Sequence, residues 1–136
     1  MKKIIIFSII ILIAGCCKDF YIAPISITIL KDNLPLSTQN IFPTFFYIDE
    51  NGKEDILQYE GADSATYLIN QNSDLKRLSF KPINIFIRYT GLPETDTLEI
   101  LLDYDCNERS SCGCHAIVLK YMKYNGVLLK DYTIRK

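Results

Sequence analysis

Residues 83–104 read INIFIRYTGLPETDTLEILLDY, and the period of that stretch decides the fold. Ile83, Ile85, Ile87 and Tyr89 alternate with Asn84, Arg88 and Thr90, and after a turn over Gly91 to Asp96 the residues Leu98, Ile100, Leu102 and Tyr104 alternate with Glu99 and Asp103. Successive side chains of a strand point to opposite faces, so a period of two makes each run a strand with one buried face. Glycine and proline in the intervening Gly91-Leu92-Pro93 mark the reversal between them.

Working outward, the same signal recurs. Ile25, Ile27 and Ile29 alternate with Ser26 and Thr28, Phe45 to Asp49 and Lys53 to Tyr59 flank Glu50-Asn51-Gly52, and Ala116 to Lys123 and Val127 to Ile134 surround Asn125-Gly126. Asn-Gly supplies two residues that tolerate positive φ, which predicts a tight type I′ hairpin at each site. Ala65 to Asn70 and a short run from Leu78 to Phe80, closed by Pro82, complete the set, and no stretch has helical periodicity. Seven to eight short strands with uneven loops predict an all-β chain, a single antiparallel β-sandwich of immunoglobulin-like or similar kind. The pattern does not repeat, which argues against a propeller or solenoid.

The N-terminus is built differently. Lys2 and Lys3 precede an apolar run from Ile4 to Ile13 interrupted only by Ser8, the layout of a secretory signal peptide. The run is about half the roughly 20 residues that a bilayer-spanning helix needs. It ends in Ile13-Ala14-Gly15-Cys16, which resembles the lipobox of bacterial lipoproteins. That resemblance implies cleavage before Cys16, a thioether-linked diacylglycerol and an N-acyl chain such as palmitate on its sulfur and amine, and attachment to a membrane of the cell envelope, the outer membrane being favoured over the inner. Several acyl chains anchor stably where one binds only marginally. The expected organisation is a signal peptide over 1–15, the lipidated cysteine and a short tether over 16–24, and the sandwich over 25–136. The doubled Cys16-Cys17, the small size, the Tyr- and Ile-rich strands and the Cys112-Gly113 pair shortly after the run from Asp96 to Tyr104 are similar to small Bacteroidetes envelope lipoproteins of unknown function, a likeness that implies placement and a β fold but no activity.

Cleavage leaves about 120 residues, enough for one core. It also removes two of the 15 basic residues that face 16 acids, for a mature side-chain charge of about −3. Without a basic patch or a nucleic-acid motif, nucleic acid is not an expected partner. The expected partners are the membrane, through the lipid, and an envelope protein or glycan. Nine tyrosines and seven phenylalanines could stack on a sugar, but most stand in alternating strands, where packing is the commoner role, and tryptophan is absent.

One constellation carries possible chemistry: Cys106, Cys112, Cys114 and His115. Three thiols and an imidazole are a zinc ligand set, yet structural sites typically pair ligands two to four residues apart, and Cys112-Gly113-Cys114 is tighter. In an oxidising compartment a disulfide from Cys106 to Cys112 or Cys114 is the favoured reading, with Cys17 a further thiol able to join only if the N-terminus packs nearby. A strained Cys112–Cys114 bridge would make a redox group, and zinc on Cys106, Cys112, Cys114 and His115 is the metal alternative. His115 is the only histidine and has no evident triad partner. Asp103, Asp105 and Asn107 begin like a calcium loop, but Glu108 and Cys114 occupy the positions where an EF-hand needs glycine and glutamate. Asp63 with Ser64, and Glu94 with Asp96, read as turn residues. No catalytic motif is present, so the expected function is a non-catalytic binding or structural accessory of the envelope, with no cofactor beyond the lipid; the alternative is a thiol-redox or metal-binding lipoprotein.

Overall fold

The computed structural model describes residues 21–61, 63–70, 80–105 and 116–136. They form an all-β sandwich of two sheets. The larger sheet contains β1 (Tyr21–Ile22), β4 (Pro43–Ile48), β5 (Glu54–Leu57), β8 (Ile83–Tyr89), β9 (Thr95–Asp105), β10 (Ala116–Tyr124) and β11 (Val127–Leu128). The smaller contains β2 (Ile25–Lys31), β3 (Leu34–Pro35), β6 (Tyr59–Gly61), β7 (Thr66–Ile69) and β12 (Thr133–Arg135). A single turn of 3₁₀ helix covers Leu36–Gln39. The strand orders are β1-β10-β9-β8-β4-β5, with β11 on β10, and β12-β2-β7-β6, with β3 on β2.

The alternating runs become the facing inner surfaces. Ile25, Ile27 and Ile29 from the smaller sheet meet Ile83, Ile85, Ile87, Leu98, Ile100 and Leu102 from the larger in one continuous core. Each fully buried isoleucine or leucine contributes about 1.5–3 kcal/mol relative to exposure, and β-branched side chains suit the pleat. Neighbouring strands pair antiparallel except at two margins, where β1 runs parallel to β10 and β12 parallel to β2.

Among the described residues twelve segments are seen where seven to eight strands are expected, because two expected strands each divide between the sheets and the short β1 and β3 are added. The run Lys53 to Tyr59 pairs with β4 as far as Leu57 and then, past Gln58, joins β7 as β6. The run Val127 to Ile134 likewise pairs with β10 at Val127–Leu128 and with β2 from Thr133. The paired chain also starts before Ile25: Tyr21 and Ile22, within the span read as tether, lie against Ala116 and Ile117. In β10 the register slips between Leu119 and Tyr121. This bulge lets Leu119 and Met122 both serve the core although they stand an odd number of positions apart.

The two Asn-Gly turns differ. Asn125 and Gly126 have φ of 46° and 85° and join Tyr124 directly to Val127, the expected type I′ geometry. At Asn51-Gly52 only Gly52 is left-handed, at φ 77°; the Gly52 amide donates to the Asp49 carbonyl and the Asp49 amide to the Lys53 carbonyl. That is a type I turn closed by a left-handed glycine, so the expected I′ turn is corrected there. Asp49 Oδ1 accepts from the amides of Asn51 and Lys53 at 2.9 and 2.8 Å, and this capture favours the longer loop.

Candidate functional site

The outer face of the larger sheet is divided. Over β9 and β10 it is polar: Lys120 Nζ donates to Asp103 at 2.6 Å, and Lys123 Nζ and the Tyr121 hydroxyl both donate to Glu99 Oε1 at 2.7 and 3.0 Å. Over β8, β4 and β5 it is apolar and aromatic. Phe46 is 5% exposed yet lies outside the core cluster that takes its neighbours Phe45 and Tyr47, because consecutive residues of a strand face opposite ways. Its ring stacks on Phe86 at 5.4 Å and carries the Arg88 guanidinium 4.6 Å from its centroid. Arg88 in turn donates to Glu54 at 2.9 Å. Ile56 stands across from Phe46 with 57% of its surface exposed, and Ile48 and Phe42 are exposed nearby.

This half-face ends at an edge. Among the described strands β5 is terminal in the order. Because the Asp49–Lys53 pair exchanges a main-chain hydrogen bond, the alternation of an antiparallel ladder directs the main-chain groups of Glu54 and Ile56 away from β4. Phe42, Thr44, Ile56, Gln58 and Tyr59 line a groove of about 570 Å³ where β5 leaves the sheet.

A second cluster is buried at the end of the sandwich where β8 finishes and β9 begins. Asp96 aligns with inward-facing Ile87 and is the one buried charged or polar residue among those described. Lys136 reaches it from the smaller sheet, donating to Asp96 Oδ2 at 2.8 Å and to Glu94 at 3.3 Å, with its ammonium 4.0 Å from the Tyr89 ring centroid. Burial alone would raise the Asp96 pKa, but the Lys136 ammonium and the adjacent Tyr89 and Tyr124 phenols outweigh it and hold the carboxyl below the usual 3.8. Burial, then the Asp96 charge, pushes both phenols well above their usual 10.0. The Tyr89 hydroxyl lies near enough to feel Asp96 but has no partner at hydrogen-bond geometry. The cluster is an inter-sheet bolt whose charges are answered internally.

The residues singled out from sequence fare unevenly. Cys16, Cys17, Cys106, Cys112, Cys114 and His115, with Asn107 and Glu108, lie outside the described residues. What is described is their bracket: Asp105 pairs with Ala116, so residues 106–115 leave and return through adjacent strands, and Tyr21 pairs with the same Ala116. Asp63 is a turn residue, its Oδ1 accepting from the amides of Ala65 and Thr66 at 2.7 and 2.6 Å. Asp96 is not, since it stands inside β9 and is buried. The parity of Leu98, Ile100 and Leu102, extended two residues back, is the signal that finds it.

No protein family, characterised protein or solved structure matches the chain in sequence or fold comparison.

Proposed function

We propose that this chain is a lipid-anchored, non-catalytic binding or structural module of the bacterial cell envelope. The observation that carries the reading is Ile13-Ala14-Gly15-Cys16 directly after a basic start and a short apolar run. The position of β1 supports it. Five peptide steps separate Cys16 from Tyr21, at most about 18 Å of extended chain, so an acylated Cys16 holds the β1 end of the sandwich against its membrane. The opposite end, with Asp96, Tyr124 and the Asn125-Gly126 turn, then faces outward.

The cysteines fit a structural role in the same reading. With Asp105 and Ala116 paired at its base, a bridge from Cys106 to Cys112 or Cys114 would pin the connection, and the short span from Cys17 to Tyr21, which pairs with Ala116, would let Cys17 join it. Intact mass of the protein purified from membranes tests both parts. Acyl chains lost in Cys16→Ala, and one bridge seen on alkylation before and after reduction, are expected. An unacylated Cys16 sinks the anchor reading; free thiols with the extra mass of a metal ion move the chemistry to Cys106, Cys112, Cys114 and His115.

A further inference from the structure

We propose that the open edge of β5 receives an extended, basic-and-apolar peptide segment of a partner protein, which adds a strand to the larger sheet beside Ile56. The proposal names the partner class for the binding module above and rests on that reading. Three observations carry it. Strand addition needs unpaired main-chain groups, and those of Glu54 and Ile56 point away from β4 at the last position of the sheet. It needs a place for alternate side chains, and the groove of Phe42, Thr44, Ile56, Gln58 and Tyr59 adjoins the edge on the apolar half of the outer face. The edge is also acidic: Glu54 and Asp55 stand on β5, Asp55 accepting from the Tyr47 hydroxyl, and Glu60 follows on β6, with Lys53 as the basic residue. Arg88 answers Glu54 from β8, across the face of Phe46 rather than from the edge.

The charges also disfavour the simplest competitor. Antiparallel pairing of β5 with a second copy in the register that bonds Glu54 to Ile56 of the other copy would set Asp55 against its own equivalent, and like charges on paired strands destabilise. A lysine-bearing strand reverses that sign and covers Ile56 with its apolar side chains.

The probe is a blocked ten-residue peptide of alternating lysine and valine, titrated onto the full chain in mild detergent at near-physiological salt, with a glutamate–valine peptide as control. Saturable binding of the lysine peptide alone is expected, with slowed hydrogen exchange at the Ile56 amide. Ile56→Pro, which removes an outward amide that β4 does not use, weakens binding at least tenfold. Ile56→Lys, which keeps the backbone and inverts the contact, does the same, so the result stands even if the proline variant folds poorly. Absence of saturable binding, equal binding of both peptides, or indifference to both variants overturns the proposal. A dimer in sedimentation that Ile56→Lys dissolves gives the edge to a second copy and overturns it too. None of these outcomes touches the acylation of Cys16, which mass alone decides.

Discussion

The hairpins at Asn51-Gly52 and Asn125-Gly126 carry the same dipeptide and fold differently, and the difference lies in what each turn is fastened to. The first is fastened to itself: Asp49 binds the amides of Asn51 and Lys53, and Asn51 keeps an ordinary backbone. The second is fastened to β9. The Asn125 amide donates to the Thr97 carbonyl at 2.9 Å, the Thr97 amide donates to Asn125 Oδ1 at 3.0 Å, and Asn125 Nδ2 reaches Asp96 at 3.4 Å. A local aspartate therefore selects the longer loop, whereas tertiary anchoring holds both residues of the shorter one at positive φ. The anchored hairpin shares the buried ion pair, and perturbing that pair should give the largest effect.

Lys136→Met removes the cation from a carboxylate that is 6% exposed. Leaving one charge of a buried pair alone costs about 3 kcal/mol, read as a shift in chemical-denaturation free energy of the full chain. Adding Asp96→Asn to that variant should recover part of the loss, which distinguishes a stranded charge from lost packing. The pH dependence follows with a fixed sign. Because the folded Asp96 pKa is held below 3.8, its contribution is fully present above that value and disappears as pH falls through the lower folded pKa. The difference in stability between the wild type and Asp96→Asn should be constant from pH 7 to about 5 and shrink below pH 4. A difference that grows on acidification would mean that the carboxyl is protonated in the folded protein.

Asn125→Ala comes next, at about 2 kcal/mol. It removes the hydrogen bond to the Thr97 amide and places an alanine at φ 46°, a lost hydrogen bond and a left-handed residue costing about 1 kcal/mol each. The matching Asn51→Ala should stay within about 0.5 kcal/mol, as is usual for exposed sites without special geometry. Equal losses at the two asparagines would refute the account of the two turns.

The contrast also marks how far the sequence could be read. Period-two alternation in 25–29, 83–89 and 98–104 identifies strands and their inner faces, because burying one face is a property of the local pattern. The sheet a segment joins is not local. Leu57 and Tyr59 both pack against the core although they belong to different sheets, so the switch at Gln58 leaves no mark on the alternation. Phe45-Phe46-Tyr47 hides its parity behind three aromatics, and with it the aromatic outer face. Asp32-Asn33, at φ 53° and 61°, turns β2 into β3 without a glycine to announce it. The open edge at Ile56 exists only once the strand order is known, whereas the thiols and imidazole of 106–115 stand out in the sequence by residue type alone.

The two glycines isolate backbone conformation from packing. Gly52 and Gly126 have φ of 77° and 85°, and an added Cβ would meet no atom within 4 Å at either. Alanine at each site therefore measures only the left-handed penalty, about 1 kcal/mol. Turn by turn the penalty should be similar in size but different in consequence. At Gly52 the loop can relax, since its fastenings are local, and the hydrogen exchange of β9 should not change. At Gly126 strain passes through Asn125 into Thr97 and Asp96, and amide exchange at Thr97 should quicken as well. Identical exchange patterns in the two variants would show that the second hairpin is no more tightly coupled to the sandwich than the first, and that its type I′ geometry owes nothing to β9.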